Sequence, residues 1–419
     1  MMIDRQQHMQ GGEAVSQTAA GAGRVPSGRN RRRCAPLLAL ACSLLLFANE
    51  SANAQQRWPL WDAYTARFLD GQGRVIDRNS PDQSQGRTTS EGEAYALFFS
   101  LVQNDRPRFE QILHWTEQNL AGGDLTARLP GWNWGKASDG GWKLLDSNPA
   151  SDADLWIAYS LLEAGRLWQN PHYTSLGSAL AARIAHEELV LVPGLGVTLI
   201  AGARGFHPDP KTWILNPSYL PPPLLIRMAQ LDPSDPWSAA LSSLQPLLVR
   251  GSGAGYAMDW VLAGSTIAPS ETPAQLAAGV KNEPAVGSYD AIRVYLWLGI
   301  SNPATPNLHQ LLDDVSGMSA YLKTQPLPPE RVDSTGKILG PNGSAGFSAA
   351  VAPFLAALGR DAEAKAQLDR ATRDPATGII GQGAYYDQNL ALFASGWFEQ
   401  RFRFDPKGRL VVPWKARQP

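Results

Sequence analysis

The chain has 419 residues, which is enough for one large domain or two of medium size. Hydrophobic residues make up 44% of it and can supply a sizeable core. The net charge of −1 leaves no excess of basic residues, so neither nucleic acid nor an anionic membrane surface is an expected partner.

The first 54 residues have the composition of a secretory leader rather than of a folded domain. A polar stretch is followed by a run of arginines, an apolar run over 35–48 and an Ala-x-Ala sequence immediately before Gln55. These are the parts of a cleavable signal peptide, and the apolar run is too short for a comfortable membrane span. We therefore expect export to the periplasm or the medium, and a mature chain without a membrane span. Both cysteines lie in the leader, so the mature chain would have no disulfide.

Helical spacing of apolar residues dominates the chain from Gln55 onward. Strand signals are weak and confined to 190–202 and the C-terminal tail. Two long segments, 121–149 and 193–223, show no helical pattern. Helices are predicted at 57–69, 88–102, 108–120, 150–168, 173–192, 224–230, 237–249, 291–300, 308–322, 348–358, 362–372 and 385–396.

The predicted helices alternate in character along the chain. One is apolar on nearly all sides and the next is amphipathic, as expected if buried inner helices alternate with half-exposed outer ones. This pattern predicts an all-α fold, an (α/α)6 barrel of six helical hairpins with minor strand content, formed by 55–419 as a single domain. A long α-solenoid is the competing architecture, and the lack of a fixed repeat period disfavours it.

Three of the most apolar helices begin with the same design, a hydroxyl residue followed closely by an acid. The acids are Glu91, Asp152 and Asp290. Inner helices of such a barrel run in the same direction, so these three side chains are expected to meet at one end. For each acid alone the alternative is ordinary helix capping, worth about 0.3–1 kcal/mol through the helix dipole. Asp154 is best interpreted in that way, as the capping-box partner of Ser151.

A protonated carboxyl group and a carboxylate facing one cleft are what hydrolysis of a glycosidic bond requires. The first gives a proton to the leaving oxygen and the second activates water. A helix N-terminus lowers the pKa of a carboxyl group, so burial and crowded negative charge must raise it in the acid. Other chemistries have less support, because the histidines are scattered and no Walker or Gly-x-Ser-x-Gly sequence occurs.

The segment 150–168 resembles the signature of family 8 glycoside hydrolases at each of its constrained positions. The segments 90–95 and 288–293 are similar to the other two catalytic segments of that family. The resemblance implies an (α/α)6 barrel that hydrolyses β-1,4-glucan with inversion. It implies that Glu91 is the general acid and Asp290 the general base, and that Asp152 lies beneath the sugar at the cleavage point, an Asp sometimes called the nucleophile.

The same resemblance extends to residues that would bind substrate. Tyr289 and Arg293 would flank and orient the base, and Tyr219 would contact the glucan. Trp132 and Trp134 are candidate stacking platforms for sugar rings, with core packing as the alternative for both.

Within the family, the chain resembles the periplasmic enzymes that accompany bacterial cellulose synthase. This implies a role in cellulose synthesis and export, with β-1,4-glucan chains and a cellulose synthase complex as partners. The reaction needs no metal and no cofactor, and a monomer is expected. Two alternatives stay open: another specificity within the family (xylan, chitosan or mixed-linkage glucan), or a glucan-binding assembly protein without activity.

Overall fold

The computed structural model describes residues 57–78, 86–231, 236–277, 284–372 and 384–416. The predicted leader, 1–54, lies outside the described residues. Within them, no helix is both long enough and apolar enough to cross a bilayer.

Helices make up most of the regular structure, which confirms the prediction of a mainly helical fold. They are α1 (Pro59–Phe68), α2 (Ser90–Val102), α3 (Arg106–Leu120), α4 (Ser151–Leu167), α5 (Pro171–Glu187), α6 (Pro222–Met228), α7 (Trp237–Gly251), α8 (Pro273–Ala277), α9 (Ile292–Ile300), α10 (Leu308–Asp314), α11 (Ser316–Tyr321), α12 (Ala345–Ala357), α13 (Asp361–Thr372), α14 (Tyr385–Phe398) and α15 (Pro413–Ala416). A 3₁₀ turn, Pro217–Tyr219, precedes α6.

The strands of the described chain are two to five residues long and pair antiparallel in small sheets, ordered β1-β2-β3, β4-β5, β6-β7-β8, β11-β10-β9 and β12-β13. They are β1 (Thr88–Thr89), β2 (Asn133–Lys136), β3 (Trp142–Asp146), β4 (Leu189–Val192), β5 (Gly196–Leu199), β6 (Trp213–Leu215), β7 (Trp260–Ala263), β8 (Ile267–Ser270), β9 (Val286–Gly287), β10 (Arg331–Asp333), β11 (Ile338–Gly340), β12 (Arg403–Phe404) and β13 (Leu410–Val411).

Two classes of helix differ sharply in burial, because apolar residues cover all sides of one class and one side of the other. Every residue of α2 except Glu91 is buried, and so is every residue of α9. By contrast, α5 buries six of its seventeen residues and α13 three of its twelve. The alternation in the sequence therefore corresponds to a real difference between buried and half-exposed helices.

The buried helices pack against one another in a cyclic order. Contacts join α2 to α4, α4 to α6, α6 to α9, α9 to α12, α12 to α14, and α14 back to α2. Each has a more exposed partner: α3 packs on α2, α5 on α4, α7 on α6, α10 on α9, α13 on α12, and α1 on α14.

Aromatic side chains fill the space between these buried helices. The ring of Phe393 in α14 lies 5.4 Å from Phe98 of α2, 5.1 Å from Trp156 of α4 and 5.0 Å from Trp297 of α9. Tyr95 contacts both tryptophans one turn closer to the helix N-termini. These rings therefore join α2, α4, α9 and α14 in one packed aromatic core.

Several predicted boundaries were wrong. The helix predicted at 173–192 ends at Glu187, and Leu189–Val192 forms a strand because its alternating β-branched residues pair with Gly196–Leu199. The helix predicted at 308–322 is broken at Val315. Strand content is also wider than the two regions predicted, as the hairpin formed by β2 and β3 illustrates.

Candidate active site

Glu91 stands in the first turn of α2 and is the one residue of that helix that keeps an accessible side chain. Thr89 caps the helix, since its hydroxyl accepts a hydrogen bond from the backbone N–H of Gly92 at 3.3 Å. Gly92 is needed for a close approach, because a Cβ there would overlap the hydroxyl of Tyr385. The backbone that carries Glu91 is thus fixed by a cap on one side and by α14 on the other.

Asp152 stands in the first turn of α4 and is 2% exposed. The predicted capping box of Ser151 and Asp154 is wrong, because α4 has no side-chain cap. The Ser151 hydroxyl instead donates to the carbonyl of Ile200 at 2.6 Å. Asp154 is fully buried, and neither of its carboxylate oxygens has a hydrogen-bond partner within the described chain. The sequence has the pattern of a capping box, but the hydroxyl of Ser151 bonds to a distant part of the chain instead of to the start of α4.

Asp290 lies two residues before α9 and its side chain is 30% exposed. Arg293, in the first turn of α9, is 5% exposed and joins two acids from different helices. Its Nη2 donates to Oδ1 of Asp290 at 2.5 Å, and its Nη1 donates to Oδ2 of Asp152 at 2.9 Å. The guanidinium also donates hydrogen bonds to the hydroxyl of Tyr95 at 3.2 Å and to that of Ser218 at 3.1 Å.

The charges of Arg293 and Asp290 also act on Glu91. Burial raises the pKa of Glu91, its own backbone N–H and the charge of Arg293 lower it, and the charge of Asp290 raises it again, with the raising effects prevailing. Burial also raises the pKa of Asp152, to about 7, against the opposing charge of Arg293. Three carboxyl groups from three helix starts therefore act on one another within one site.

The match to known proteins decides the family. The family model for glycosyl hydrolases family 8 matches residues 31–400. The chain belongs to this family. It is 42% identical to an endoglucanase of Xanthomonas axonopodis pv. citri over 392 residues, 93% of this chain and 98% of the relative.

Two further relatives of this family 8 protein agree over most of its length. An endoglucanase of Escherichia coli K12 is 43% identical over 373 residues, 89% of this chain and 95% of the relative. The crystal structure of an endo-1,4-D-glucanase from Vibrio fischeri ES114 has a TM-score of 0.74 and 39% identity, covering 85% of this chain and 99% of that one. The predicted membership of the family is confirmed.

Two of the predicted substrate-binding residues, Tyr219 and Tyr289, differ in their burial and in their contacts with the acids of this family 8 site. Tyr219 is 8% exposed, and the guanidinium of Arg293 lies 5.4 Å from the centre of its ring. Tyr289 is 46% exposed, and its hydroxyl donates to Oε1 of Glu330 at 2.6 Å. Tyr219 therefore borders the acids through Arg293, whereas the hydroxyl of Tyr289 is bound on the β10 side.

The two predicted stacking tryptophans also have protein partners. Trp132 packs against the core, and its carbonyl accepts a hydrogen bond from the N–H of Ser90 at 3.0 Å, next to Glu91. Trp134 stacks on Trp142 at 5.2 Å, and the guanidinium of Arg74 lies 4.4 Å from its ring centre. Trp132 thus adjoins the start of α2, while Trp134 belongs to a separate aromatic group on the β2–β3 hairpin.

Sequence reasoning did not assign roles to three residues that the structure brings to the site. Tyr95 and Ser218 both receive hydrogen bonds from Arg293, and the hydroxyl of Tyr386 donates to the carbonyl of Tyr289, beside Asp290. Tyr95 is four residues after Glu91, on the same side of α2, and this spacing was the available signal. The described residues contain no group of three or more His, Cys, Asp or Glu side chains that could hold a metal ion.

Proposed function

We propose that this protein hydrolyses internal β-1,4-glucosidic bonds of cellulose-type glucan with inversion at the anomeric carbon. The observation that carries the proposal is Arg293, which holds Asp152 and Asp290 from separate helices in one cluster whose field also reaches Glu91. Family membership and the endoglucanase names of the relatives support the reaction class and the substrate.

Glu91 is assigned as the general acid. Its raised pKa favours the protonated carboxyl group that a general acid needs, and its accessible side chain can reach a glycosidic oxygen. It donates that proton to the leaving oxygen as the bond from C1 breaks. Glu91 recovers a proton from solvent after the sugars leave.

Asp290 is assigned as the general base. It is ion-paired with Arg293, and its 30% exposure leaves its side chain accessible to a water molecule. That water attacks C1 from the face opposite the leaving group while its proton passes to Asp290. The product is a hemiacetal of inverted configuration, and Asp290 then releases its proton to solvent.

Asp152 is assigned a supporting role rather than that of a nucleophile. It is 2% exposed and bound to both Arg293 and the backbone N–H of Ala153, so its oxygens are engaged by protein donors. A buried carboxyl group in this position stabilises developing positive charge on the sugar ring by its negative charge.

The cyclic packing of α2, α4, α6, α9, α12 and α14 supports an (α/α)6 barrel in which these are the inner helices. Their N-termini would then surround the cleft, with Tyr219 at its side. The leader at 1–54 supports export to the periplasm or the medium. In that compartment the enzyme would act on glucan chains beside a cellulose synthase complex.

The decisive experiment compares the wild-type protein with Glu91→Gln and Asp290→Asn on soluble carboxymethyl cellulose. We expect both variants to lose at least about 100-fold in reducing-end formation, since general acid–base groups contribute about 10²–10⁴-fold. NMR of the first product from cellohexaose should show the α-anomer in the wild type. Unchanged turnover in Glu91→Gln would remove that residue from the mechanism, and glucan binding without new reducing ends in the wild type would favour an assembly protein.

Specificity within the family is tested on the same preparation. We expect faster release of reducing ends from β-1,4-glucan than from xylan, chitosan or mixed-linkage glucan at equal concentration. A fast fall of viscosity relative to reducing ends would identify internal cleavage. Faster cleavage of one of the other polymers would overturn the substrate assignment while leaving the reaction class intact.

A further inference from the structure

Asp259 makes an unusual set of contacts with the segment that carries Asp290. It directly precedes β7 and is 5% exposed. Its Oδ1 accepts hydrogen bonds from the backbone N–H groups of Ser288 and Ala291, both at 2.8 Å. Its Oδ2 accepts a third, from the hydroxyl of Ser288 at 2.5 Å. The carboxylate therefore binds the chain on both sides of Asp290.

These contacts hold the turn that leads into α9. Ala291 is the N-cap residue of α9, and the first N–H groups of the helix, those of Ile292, Arg293 and Val294, bond to backbone carbonyls of the same turn. The N–H groups of Ser288 and Ala291 instead bond to Asp259, about thirty residues earlier in the chain. A shift of Asp290 along or around the helix axis would break the bonds to Ser288 and Ala291 together.

The segment that presents Asp259 is itself anchored to the same region. The N–H of Asp259 donates to the carbonyl of Val286 at 2.8 Å. The N–H of Ala257 donates to the hydroxyl of Tyr295, one turn into α9, at 3.0 Å. Gly287 permits the close approach of the two backbone segments, because a Cβ at this position would overlap the carbonyl oxygen of Ala257. Asp259 is thus held on a rigid support rather than on a free loop.

The chemical nature of the residue is informative. Within the described chain, Asp259 has no ion pair with Lys or Arg, and its carboxylate is satisfied by hydrogen bonds alone. Burial, followed by the negative charge of Asp290, raises its pKa to about 6. A buried carboxylate next to a second one costs stability, and a neutral Asn could accept the same two backbone hydrogen bonds at lower cost.

We propose that Asp259 is a positioning residue for hydrolysis. By accepting hydrogen bonds from Ser288 and Ala291, Asp259 fixes the carboxylate of Asp290 in the place where that carboxylate accepts the proton of the attacking water. This inference rests on the proposed function of Asp290 as the base. Catalysis is sensitive to this placement, because a displacement of about 1 Å from productive geometry can cost about 100-fold in rate.

The test measures kcat, KM and melting temperature for Asp259→Ala and Asp259→Asn on cellohexaose. Alanine removes all three bonds, and we expect kcat to fall by about 100-fold with KM within about threefold of wild type. The Asn amide oxygen still accepts from both backbone N–H groups, so Asp259→Asn should recover at least about a tenth of wild-type kcat. Asp259→Ala with kcat within twofold of wild type would overturn the inference.

A matched control separates positioning from general stability. Asp405 also holds a turn by accepting from two backbone N–H groups, those of Lys407 and Arg409. That turn lies away from the acids: the carbonyl of Gly408 in it accepts from the hydroxyl of Tyr159, which is two turns along α4 from Asp152. Asp405→Ala is expected to lower the melting temperature and to leave kcat unchanged. Equal loss of kcat in the Asp405 and Asp259 variants would overturn the inference, since both losses would then follow stability.

Two further variants complete the design. Ser288→Ala removes only the bond to Oδ2, and it decides the question if Asp259→Ala does not fold: a severalfold loss of kcat at constant KM supports the inference, and unchanged kcat contradicts it. Asp290→Ala tests the underlying assignment. Activity in Asp290→Ala would refute the proposed function, whereas an inactive Asp290→Ala beside a fully active Asp259→Ala would refute positioning alone.

Discussion

A single guanidinium organises the chemistry of the site. Arg293 binds Asp152 and Asp290 with different nitrogens, and its two other hydrogen bonds reach Tyr95 and Ser218. Only a planar fork of N–H donors can serve four partners at fixed angles, which a lysine ammonium cannot do. The two carboxylates differ in exposure: Asp152 is buried, while Asp290 keeps one side accessible to solvent.

The protonation of Glu91 yields a prediction for pH dependence. A general acid must be protonated, so activity falls as the pH rises through its pKa. The positive charge of Arg87 lowers that pKa. Replacing it in Arg87→Gln should move the alkaline limb of the kcat/KM profile to higher pH, by a few tenths of a unit to about one unit. The same profile should be unchanged in Arg57→Gln, which removes an exposed arginine paired with Asp62. An alkaline limb that moves downward in Arg87→Gln would assign it to another group.

At the scale of elements, the start of α2 offers a stability test. A Cβ at position 92 would overlap the hydroxyl of Tyr385 on α14. Gly92→Ala should therefore destabilise the protein by about 1–3 kcal/mol, as overpacking does, and displace Glu91 next to it. Thermal unfolding and kcat should both respond. Gly71→Ala is the control, because no atom lies within 4 Å of the Cβ added there.

The double variant Gly92→Ala/Tyr385→Phe identifies the cause. Removing the hydroxyl takes away the overlapping atom, so the loss in the double variant should be smaller than the sum of the two single losses. Additive losses would show that the methyl group destabilises helix α2 for a reason other than this contact.

Helix starts were predictable from the sequence because local signals define them. Thr89 lies before Glu91 and does cap its helix, and long apolar runs showed which helices are buried. The strands outside 190–202 and the C-terminal tail were missed, since segments of two to five residues seldom display a clear alternation. A similar limit applies to the hydrogen bonds between Asp259 and Ser288, because no periodicity links residues 29 positions apart. The predicted capping box at Ser151 failed for a related reason: its hydroxyl found a partner at Ile200.

At the scale of the whole molecule, several carboxyl groups are buried at the expense of stability. Burial raises the pKa values of Asp152, Asp154, Glu188 and Asp259 above their ordinary values. A carboxyl group with a raised pKa in the folded state favours folding most when it is protonated. Its contribution to the free energy of unfolding therefore falls as the pH rises from the unfolded pKa to the folded one. The fold tolerates this because the large aromatic core lies directly behind the site.

Asp152→Asn should make this cost measurable. The pKa of Asp152 is about 7 in the folded protein against an ordinary value of 3.8, so ionisation of this residue destabilises the fold across that interval. Asparagine has the same shape and no charge, and its oxygen can still accept from Arg293. We expect a loss of activity together with a gain in unfolding free energy of about 1–3 kcal/mol at pH 8, typical of a stability–function trade-off. The gain should vanish near pH 4, where Asp152 is protonated in the folded wild type.

Asp405→Asn provides a control of opposite sign. Partial burial raises the pKa of Asp405, but hydrogen bonds from Arg409 and Lys407 outweigh it, so the pKa is lowered overall. Its charge is therefore stabilising above the ordinary pKa, and Asp405→Asn should lose stability at pH 8 while Asp152→Asn gains it. Urea unfolding of both variants at pH 4, 6 and 8 measures the two trends together. If Asp152→Asn were less stable than wild type at pH 8, the ion pair with Arg293 would outweigh the cost of burial, and the site would be a source of stability.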